Sequence, residues 1–229
     1  MNTKLSNSEM IESDDCYSVS LTPTGLILVG KNKEFGVQKV KGRVASVRVS
    51  QGKVSSIQYY NGEIYILCGD DGLVSQMLYH SIGLGEGSVI VYNSDSFDEV
   101  RKWTVPNARS MRSMAIINKK VYVSDTYNKQ LCVYSLTGTP ITEIKHSTFS
   151  KPKYLTVSIP DSIIISDSGA NKVYKLYTMD DEITWTCSKV NLPGGVCCHV
   201  NGDVFVWSQS TKSLFLLSSV TGESIIALK

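Results

Sequence analysis

Two aspartates at matching positions are the first candidates for chemistry in this sequence. Asp125 follows the apolar run VYVS, and Asp167 follows the similar run IIIS. Carboxylates that converge on one point are good Ca²⁺ ligands, but the ion needs about six to eight oxygens. The third copy of the pattern carries Ser208 instead of an aspartate, and only Asp70 and Asp71 could be recruited from elsewhere. The sequence therefore predicts no metal site. The two aspartates are expected to accept hydrogen bonds from backbone N–H groups of the next loop.

Histidine, cysteine and glycine patterns indicate no cofactor and no catalytic centre. The histidines His80, His146 and His199 are far apart, and the six cysteines form no C-x-x-C pair. These spacings suit neither a triad nor a zinc site. The glycines of 83–87 do not form G-x-G-x-x-G, so a flexible loop is a better interpretation than a phosphate cradle. We expect no enzyme activity, and we expect the cysteines to be reduced and mostly buried.

Composition places the chain among ordinary globular proteins. It has 229 residues, 42% of them hydrophobic and 19% charged, with a formal net charge of +2. No apolar run is long enough to span a bilayer, so no membrane partner is expected. Residues 1–16 form a polar N-terminal segment without the basic-then-apolar order of a secretory signal, which favours a cytoplasmic location.

An internal repeat organises the rest of the chain. Segments 121–134, 163–176 and 204–217 align without gaps, at spacings of 42 and 41 residues. Turn pairs such as Asn61-Gly62 and Thr137-Gly138 divide each unit into four short apolar strands. Units of about 40 residues with four strands predict the blades of an all-β propeller, with the middle strands apolar on both sides. A β-sandwich is the alternative that this spacing disfavours.

Five four-stranded antiparallel blades can be counted over residues 17–229, and the repeats are clearest over 106–229. The unit around residue 64 has an insertion at 69–87, a candidate contact surface. The five blades form either a closed ring or a six-bladed ring that lacks one blade of roughly 40 residues. An open ring would expose the sides of its end blades, so self-association is expected in that case.

Segments 121–134 and 163–176 resemble the NHL repeat, in which an aspartate ends the second strand and an asparagine and a basic residue follow. Asp125 and Asn128 fit this pattern, as do Asp167, Asn171 and Lys172. The likeness is specific over about 106–178 and diffuse elsewhere. It implies a propeller like the C-terminal domain of tripartite-motif ubiquitin ligases, which usually has six blades. The same likeness assigns structural roles to the two aspartates and the two asparagines.

Basic and aromatic residues gather in the loops that the blade scheme places on one face. These loops join second to third strands or enter the first strand of a unit. The candidate binding residues are Arg109, Arg112, Tyr127, Lys129, Lys151, Lys153, Tyr154, Lys172 and Lys212. The simpler interpretation is a solvated rim. The functional one is a surface on which cations hold phosphates and tyrosines stack on bases of single-stranded RNA.

Two function classes remain open from the sequence. The first is a non-catalytic platform that binds a protein partner or single-stranded RNA, as the substrate-recognition part of a ubiquitin-ligase-like protein. The second is a metal-dependent propeller enzyme similar to gluconolactonases, paraoxonases or amidating lyases. Converging carboxylates and amides at the centre of the ring would favour the enzyme. Hydroxyl and apolar side chains there would favour the platform.

Overall fold

The protein is an all-β propeller of five four-stranded antiparallel blades. The computed structural model describes residues 18–39, 42–49, 52–69, 87–106 and 110–228. Within these residues every regular element is a β-strand, and no helix could cross a membrane. The strand order in each sheet follows the chain, so the first strand of each blade is innermost and the fourth is outermost. The sequence-based prediction of fold class and blade count is confirmed.

The strand bounds follow the predicted units. Blade 1 contains β1 (Ser18–Leu21), β2 (Ile27–Gly30), β3 (Glu34–Lys39) and β4 (Gly42–Arg48). Blade 2 contains β5 (Lys53–Tyr60), β6 (Glu63–Gly69), β7 (Gly87–Asn93) and β8 (Glu99–Val105). Blade 3 contains β9 (Met111–Ile117), β10 (Lys120–Asp125), β11 (Gln130–Ser135) and β12 (Pro140–Lys145). Blade 4 contains β13 (Pro152–Ser158), β14 (Ser162–Asp167), β15 (Lys172–Tyr177) and β16 (Ile183–Cys187). Blade 5 contains β17 (Pro193–Cys198), β18 (Val204–Ser208), β19 (Ser213–Leu217) and β20 (Ser224–Leu228).

Hydrophobic clusters lie between consecutive blades and form the core. One cluster joins blades 1 and 2, and similar clusters join blades 2 and 3, 3 and 4, and 4 and 5. Every residue of β14 is buried, because its two faces pack on two neighbouring blades. This explains why the run IIIS does not alternate between apolar and polar residues, as the propeller interpretation required.

Serine hydroxyls join the innermost strands of consecutive blades. The backbone N–H of Met114 on β9 donates to Ser56 Oγ on β5 at 3.2 Å, and the N–H of Leu155 on β13 donates to Ser113 Oγ on β9 at 3.0 Å. Ser18 on β1 accepts from a β5 backbone N–H in the same way. An innermost strand has a partner on one edge only, so these hydroxyls satisfy N–H groups that the sheet leaves unpaired.

Tryptophans on outermost strands pack on glycine turns of the next blade. A Cβ placed on Gly138 would lie 2.5 Å from Trp103 Cδ2, and one on Gly222 would lie 2.5 Å from Trp185 Cε3. Both glycines have positive φ, 90° and 70° respectively. Two reasons therefore require glycine in these turns. The backbone has positive φ, and the tryptophan side chain leaves no room for a Cβ. Both turns carry the same pair of residues, Thr137-Gly138 and Thr221-Gly222.

The junction between blade 5 and blade 1 differs from the other four. Innermost strands pack side by side from β1 to β5, β5 to β9, β9 to β13 and β13 to β17. Among the described strands, no comparable packing joins β17 to β1.

Candidate ligand-binding face

In the described part of the chain, the two loop faces of the ring carry opposite charge. Because the strands alternate in direction, the loops after the second and fourth strands of each blade emerge together, and those after the first and third emerge opposite. The first group, here called the basic face, comprises the described loops 31–33, 126–129, 146–151, 168–171, 188–192 and 209–212. These loops contain six lysines and no aspartate or glutamate: Lys31, Lys33, Lys129, Lys151, Lys189 and Lys212.

The opposite loops form an acidic face. Its described loops are 22–26, 61–62, 94–98, 118–119, 136–139, 159–161, 178–182, 199–203 and 218–223. They contain eight acidic residues, namely Asp95, Asp98, Asp161, Asp180, Asp181, Glu182, Asp203 and Glu223. One basic residue, Lys119, lies among them in the described part. The near-neutral net charge of +2 therefore conceals a strong separation of charge across the ring.

The structure places most of the predicted binding residues on or beside the basic face. Lys129, Lys151 and Lys212 are exposed in its loops, and Tyr127 is 58% exposed between the second and third strands of blade 3. Arg109 lies outside the described residues. Sequence reasoning did not identify Lys31 and Lys33 of the blade 1 loop, because the repeat alignment was clear only in the last three units. It also missed Lys189, in the loop that enters blade 5.

Four predicted loop residues lie within strands, so that part of the prediction is wrong. Arg112 is the second residue of β9 and is exposed, and Lys172 opens β15. Lys153 and Tyr154 belong to β13, because Pro152 already pairs with the end of β14. Lys153 Nζ lies 5.1 Å from the centre of the Tyr154 ring. The Tyr154 ring thus carries a cation contact within the chain and is half-buried, whereas Tyr127 is 58% exposed.

Asp167 connects two loops of the basic face. Its carboxylate is fully buried and accepts four backbone N–H bonds at 2.7–3.0 Å, from Ser150, Lys151, Gly169 and Ala170. The first two donors precede β13 and the last two follow β14. These four bonds occupy the carboxylate oxygens, which leaves them little capacity for a metal ion. The bonds from Gly169 and Ala170 are of the kind expected from the sequence, from N–H groups of the next loop to the carboxylate.

The equivalent positions of blades 3 and 5 show weaker versions of this arrangement. Asp125 is buried and, within the described residues, accepts from Asn128, which donates its backbone N–H at 3.2 Å and its Nδ2 at 2.6 Å. Ser208 Oγ donates to the carbonyl of Asn191 at 2.7 Å. Asn171 also contributes, because its Oδ1 accepts the N–H of Leu192 at 2.8 Å. The predicted structural residues thus order the loops that present the lysines.

The centre of the ring is lined by innermost strands that contain no aspartate, glutamate or histidine. The sequences of these strands are SVSL, KVSSIQYY, MRSMAII, PKYLTVS and PGGVCC. In the part of the chain that the structure describes, no group of three or more histidine, cysteine, aspartate or glutamate residues could hold a metal ion. Cys198 is half-buried, and burial raises the pKa of its thiol to about 11, so it is protonated near pH 7.

On the acidic side of blade 2, Arg101 forms an ion pair with Glu63 and also donates a hydrogen bond to blade 3. Arg101 donates from both Nη atoms to the Glu63 carboxylate, each at 2.6 Å, and from Nε to the carbonyl of Leu136 at 3.0 Å. Tyr65 donates its hydroxyl to the same carboxylate at 2.8 Å. The bonds from Arg101 hold the pKa of Glu63 below its usual value and raise the pKa of Arg101. These groups are satisfied by one another, so they stabilise the ring and are not candidates for ligand binding.

Solved structures with the same architecture confirm the propeller. The chain matches no protein-family model and no curated protein sequence. It is similar to a protein of unknown function from Bacteroides caccae, with 13% identity and a TM-score of 0.71 over 93% of this chain and 81% of that one. The WD40 propeller domain of Doa1 matches at 12% identity and a TM-score of 0.70, over 93% of this chain and 68% of that one. Streptogramin B lyase matches at 11% identity and a TM-score of 0.72, over 96% and 70%. At these identities the likeness shows the β-propeller fold alone.

Proposed function

We infer that this propeller is a non-catalytic binding platform, similar to the NHL propellers of tripartite-motif proteins, that takes single-stranded RNA on its basic face. The observation that carries this inference is the charge separation. Six lysines and no acidic residue occupy the described loops of one face, and eight acidic residues occupy those of the other. A polyanion is attracted to the first face and repelled by the second, which fixes both the site and the orientation of the ligand.

Aromatic exposure favours RNA over a purely electrostatic contact. Tyr127 is 58% exposed and lies beside Lys129 in the same loop. A base can stack on this ring while the neighbouring lysine contacts phosphate, the combination that proteins use for single strands. A protein partner with an acidic segment is the second candidate, since the same lysines would hold carboxylates. It would need no stacking surface.

A metal-dependent or lyase-like enzyme is the less favoured alternative. Streptogramin B lyase shares the fold, so the architecture itself is compatible with an enzyme. The side chains supply the argument against it. Asp125 and Asp167 are buried under hydrogen bonds, and the innermost strands offer hydroxyl and apolar groups instead of carboxylates.

The test is single-stranded RNA binding at several salt concentrations, measured by fluorescence anisotropy with a labelled oligouridine. The double variant Lys129→Glu, Lys151→Glu should lose two phosphate contacts. The log–log salt slope should then fall by about 1.4, since each contact on a single strand contributes about 0.7. The matched control is Lys102→Glu, Lys119→Glu, which changes net charge equally but lies away from the basic face. It should retain nearly the wild-type slope.

Tyr127→Ala separates RNA from an acidic protein segment. Loss of a stacked base should cost about 1–3 kcal/mol of RNA binding, whereas an acidic peptide should bind the variant as well as the wild type. Equal, weak and salt-insensitive RNA binding by all variants would refute the RNA assignment. Bound metal together with hydrolytic or lyase turnover would favour the enzyme.

A further inference from the structure

Blade 5 presents an apolar sheet face that the rest of the described chain does not cover. Along β18 the residues Val204, Val206 and Ser208 are buried against blade 4, whereas Phe205 is half-buried and Trp207 is 39% exposed. The equivalent strand β14 is buried on both sides. The pairing register extends the uncovered side across all four strands. This surface, here called the blade 5 apolar face, consists of Cys197, Phe205, Trp207, Leu214, Leu216 and Ile226.

The side of blade 1 that faces away from blade 2 is chemically different. Val19 and Leu21 are exposed on β1, at 53% and 67%, so this side is apolar near the ring centre. Its outer half is polar, because the register places Glu34 and Arg48 there, and Ser46 Oγ donates to the Glu34 carboxylate at 3.0 Å. Packing the blade 5 apolar face against this outer half would bury polar and charged groups without matching partners. Blade 1, from the same chain or from another, is therefore a poor cover for blade 5.

The innermost strand of blade 5 also lacks the hydroxyls that link other blades. Serine hydroxyls of β1, β5 and β9 each accept a backbone N–H from the next innermost strand. Strand β17 reads PGGVCC and contains no serine or threonine. A surface that packs on blade 5 must therefore be held by apolar contact and not by a continuation of this hydrogen-bonding pattern.

We propose that a second copy of the chain covers this face, through a two-fold symmetric contact between two blade 5 apolar faces. Such a contact sets apolar side chains against apolar side chains, as in the inter-blade clusters, and two-fold dimers are the commonest oligomers. Four strands and five residues span about 19 Å by 17 Å. This is about 320 Å² per copy, or about 650 Å² in total, the size range of weak, transient contacts.

Charge complementarity fixes the direction of the two-fold axis. An axis along the blade radius reverses top and bottom, so the acidic face of one copy lies beside the basic face of the other. Asp203 and Glu223 of blade 5 then approach the Lys212 side of the second copy. An axis parallel to the ring axis would instead bring like charges together along both rims. The radial axis is therefore the electrostatically favoured arrangement.

Analytical ultracentrifugation from about 1 to 200 µM tests the dimer. Wild-type protein should show a monomer–dimer equilibrium, and Trp207→Lys should raise the dissociation constant by at least about 30-fold, as expected for a central aromatic residue at an interface. Met179→Lys is the matched control, because Met179 is 68% exposed on a turn of blade 4, outside the proposed contact. Leu21→Lys tests for the alternative head-to-tail contact, in which blade 5 of one copy packs on blade 1 of the next. Both of these variants should dimerise like the wild type.

Cys197 gives a second readout that needs no substitution. It is exposed on the blade 5 apolar face, so alkylation by N-ethylmaleimide should slow as the wild-type concentration rises through the dissociation constant. The rate should not depend on concentration in Trp207→Lys. A wild-type monomer over the whole range, or a dimer lost in Leu21→Lys and retained in Trp207→Lys, would overturn the proposal. So would a Cys197 alkylation rate that is independent of concentration.

Discussion

Replacing Asp167 by alanine should destabilise the propeller without changing its ligand chemistry. The buried carboxylate accepts four backbone N–H bonds from two loops, and alanine leaves all four donors without that partner. A hydrogen bond to a charged group contributes roughly 1.5–3 kcal/mol, but loop N–H groups can partly regain water. We expect a net loss of about 2–4 kcal/mol in the free energy of unfolding. Urea denaturation at pH 7 measures this directly.

The neighbouring blades supply the graded control for this prediction. In the part of the chain that the structure describes, Asp125 accepts bonds from Asn128, so Asp125→Ala should cost about 1–2 kcal/mol. Ser208→Ala should cost about 1 kcal/mol or less, because Ser210 Oγ also donates to the same Asn191 carbonyl. RNA affinity, measured well below the melting temperature, should change little in any of the three. An Asp167→Ala protein of wild-type stability that had lost bound metal would refute the structural role.

Three further perturbations test the contacts between blades. Gly138→Ala should cost about 2–4 kcal/mol in a urea titration, because the new Cβ would meet Trp103 and the backbone has positive φ; an unchanged midpoint would contradict the packing. Glu63→Gln should reduce the pH dependence of the free energy of unfolding. Because the folded-state pKa of Glu63 is lowered, its carboxylate stabilises the wild type at pH values above its ordinary pKa of 4.5. This stabilisation is lost as the pH falls through the lower folded-state pKa. The stability gap between wild type and variant should therefore narrow from pH 7 to pH 3, and a constant gap would show that the Arg101 pair is unimportant. Ser113→Ala should cost about 1–2 kcal/mol in the same denaturation assay by leaving an N–H of the next blade unpaired; no loss would argue against hydroxyl linking of the innermost strands.

The fold could be predicted because propeller blades are specified locally. Asn61 and Gly62 have φ of 49° and 83°, so the Asn-Gly pair forms the tight turn that its residue types favour. The β-branched runs recur about every 40 residues, and this spacing predicts four strands in each blade. Asp167 was also predictable, because a carboxylate that ends a buried strand lies next to the N–H groups of the following loop.

Features that depend on neighbouring blades were not predictable. The serine links, the tryptophan–glycine contacts and the bond from Arg101 to the Leu136 carbonyl each join residues on different sheets, about 34 to 58 positions apart. Strand starts were also misplaced: Lys153 and Tyr154 were expected in a loop but belong to β13. The acidic face was missed because its residues come from two sets of turns, those after the first strands and those after the third strands. That both sets lie on one side of the ring follows only once the direction of every strand is known.

Hydrogen–deuterium exchange with and without an oligouridine tests the central claim most directly, because it reports which face the ligand covers. The wild-type protein should show slower exchange in the basic-face loops 126–129, 146–151 and 168–171 when RNA is present. Exchange in the acidic-face loops 178–182 and 218–223 should remain unchanged, and added salt should reverse the protection. Protection confined to the acidic-face loops, or protection of the basic-face loops that persists at high salt, would contradict the account.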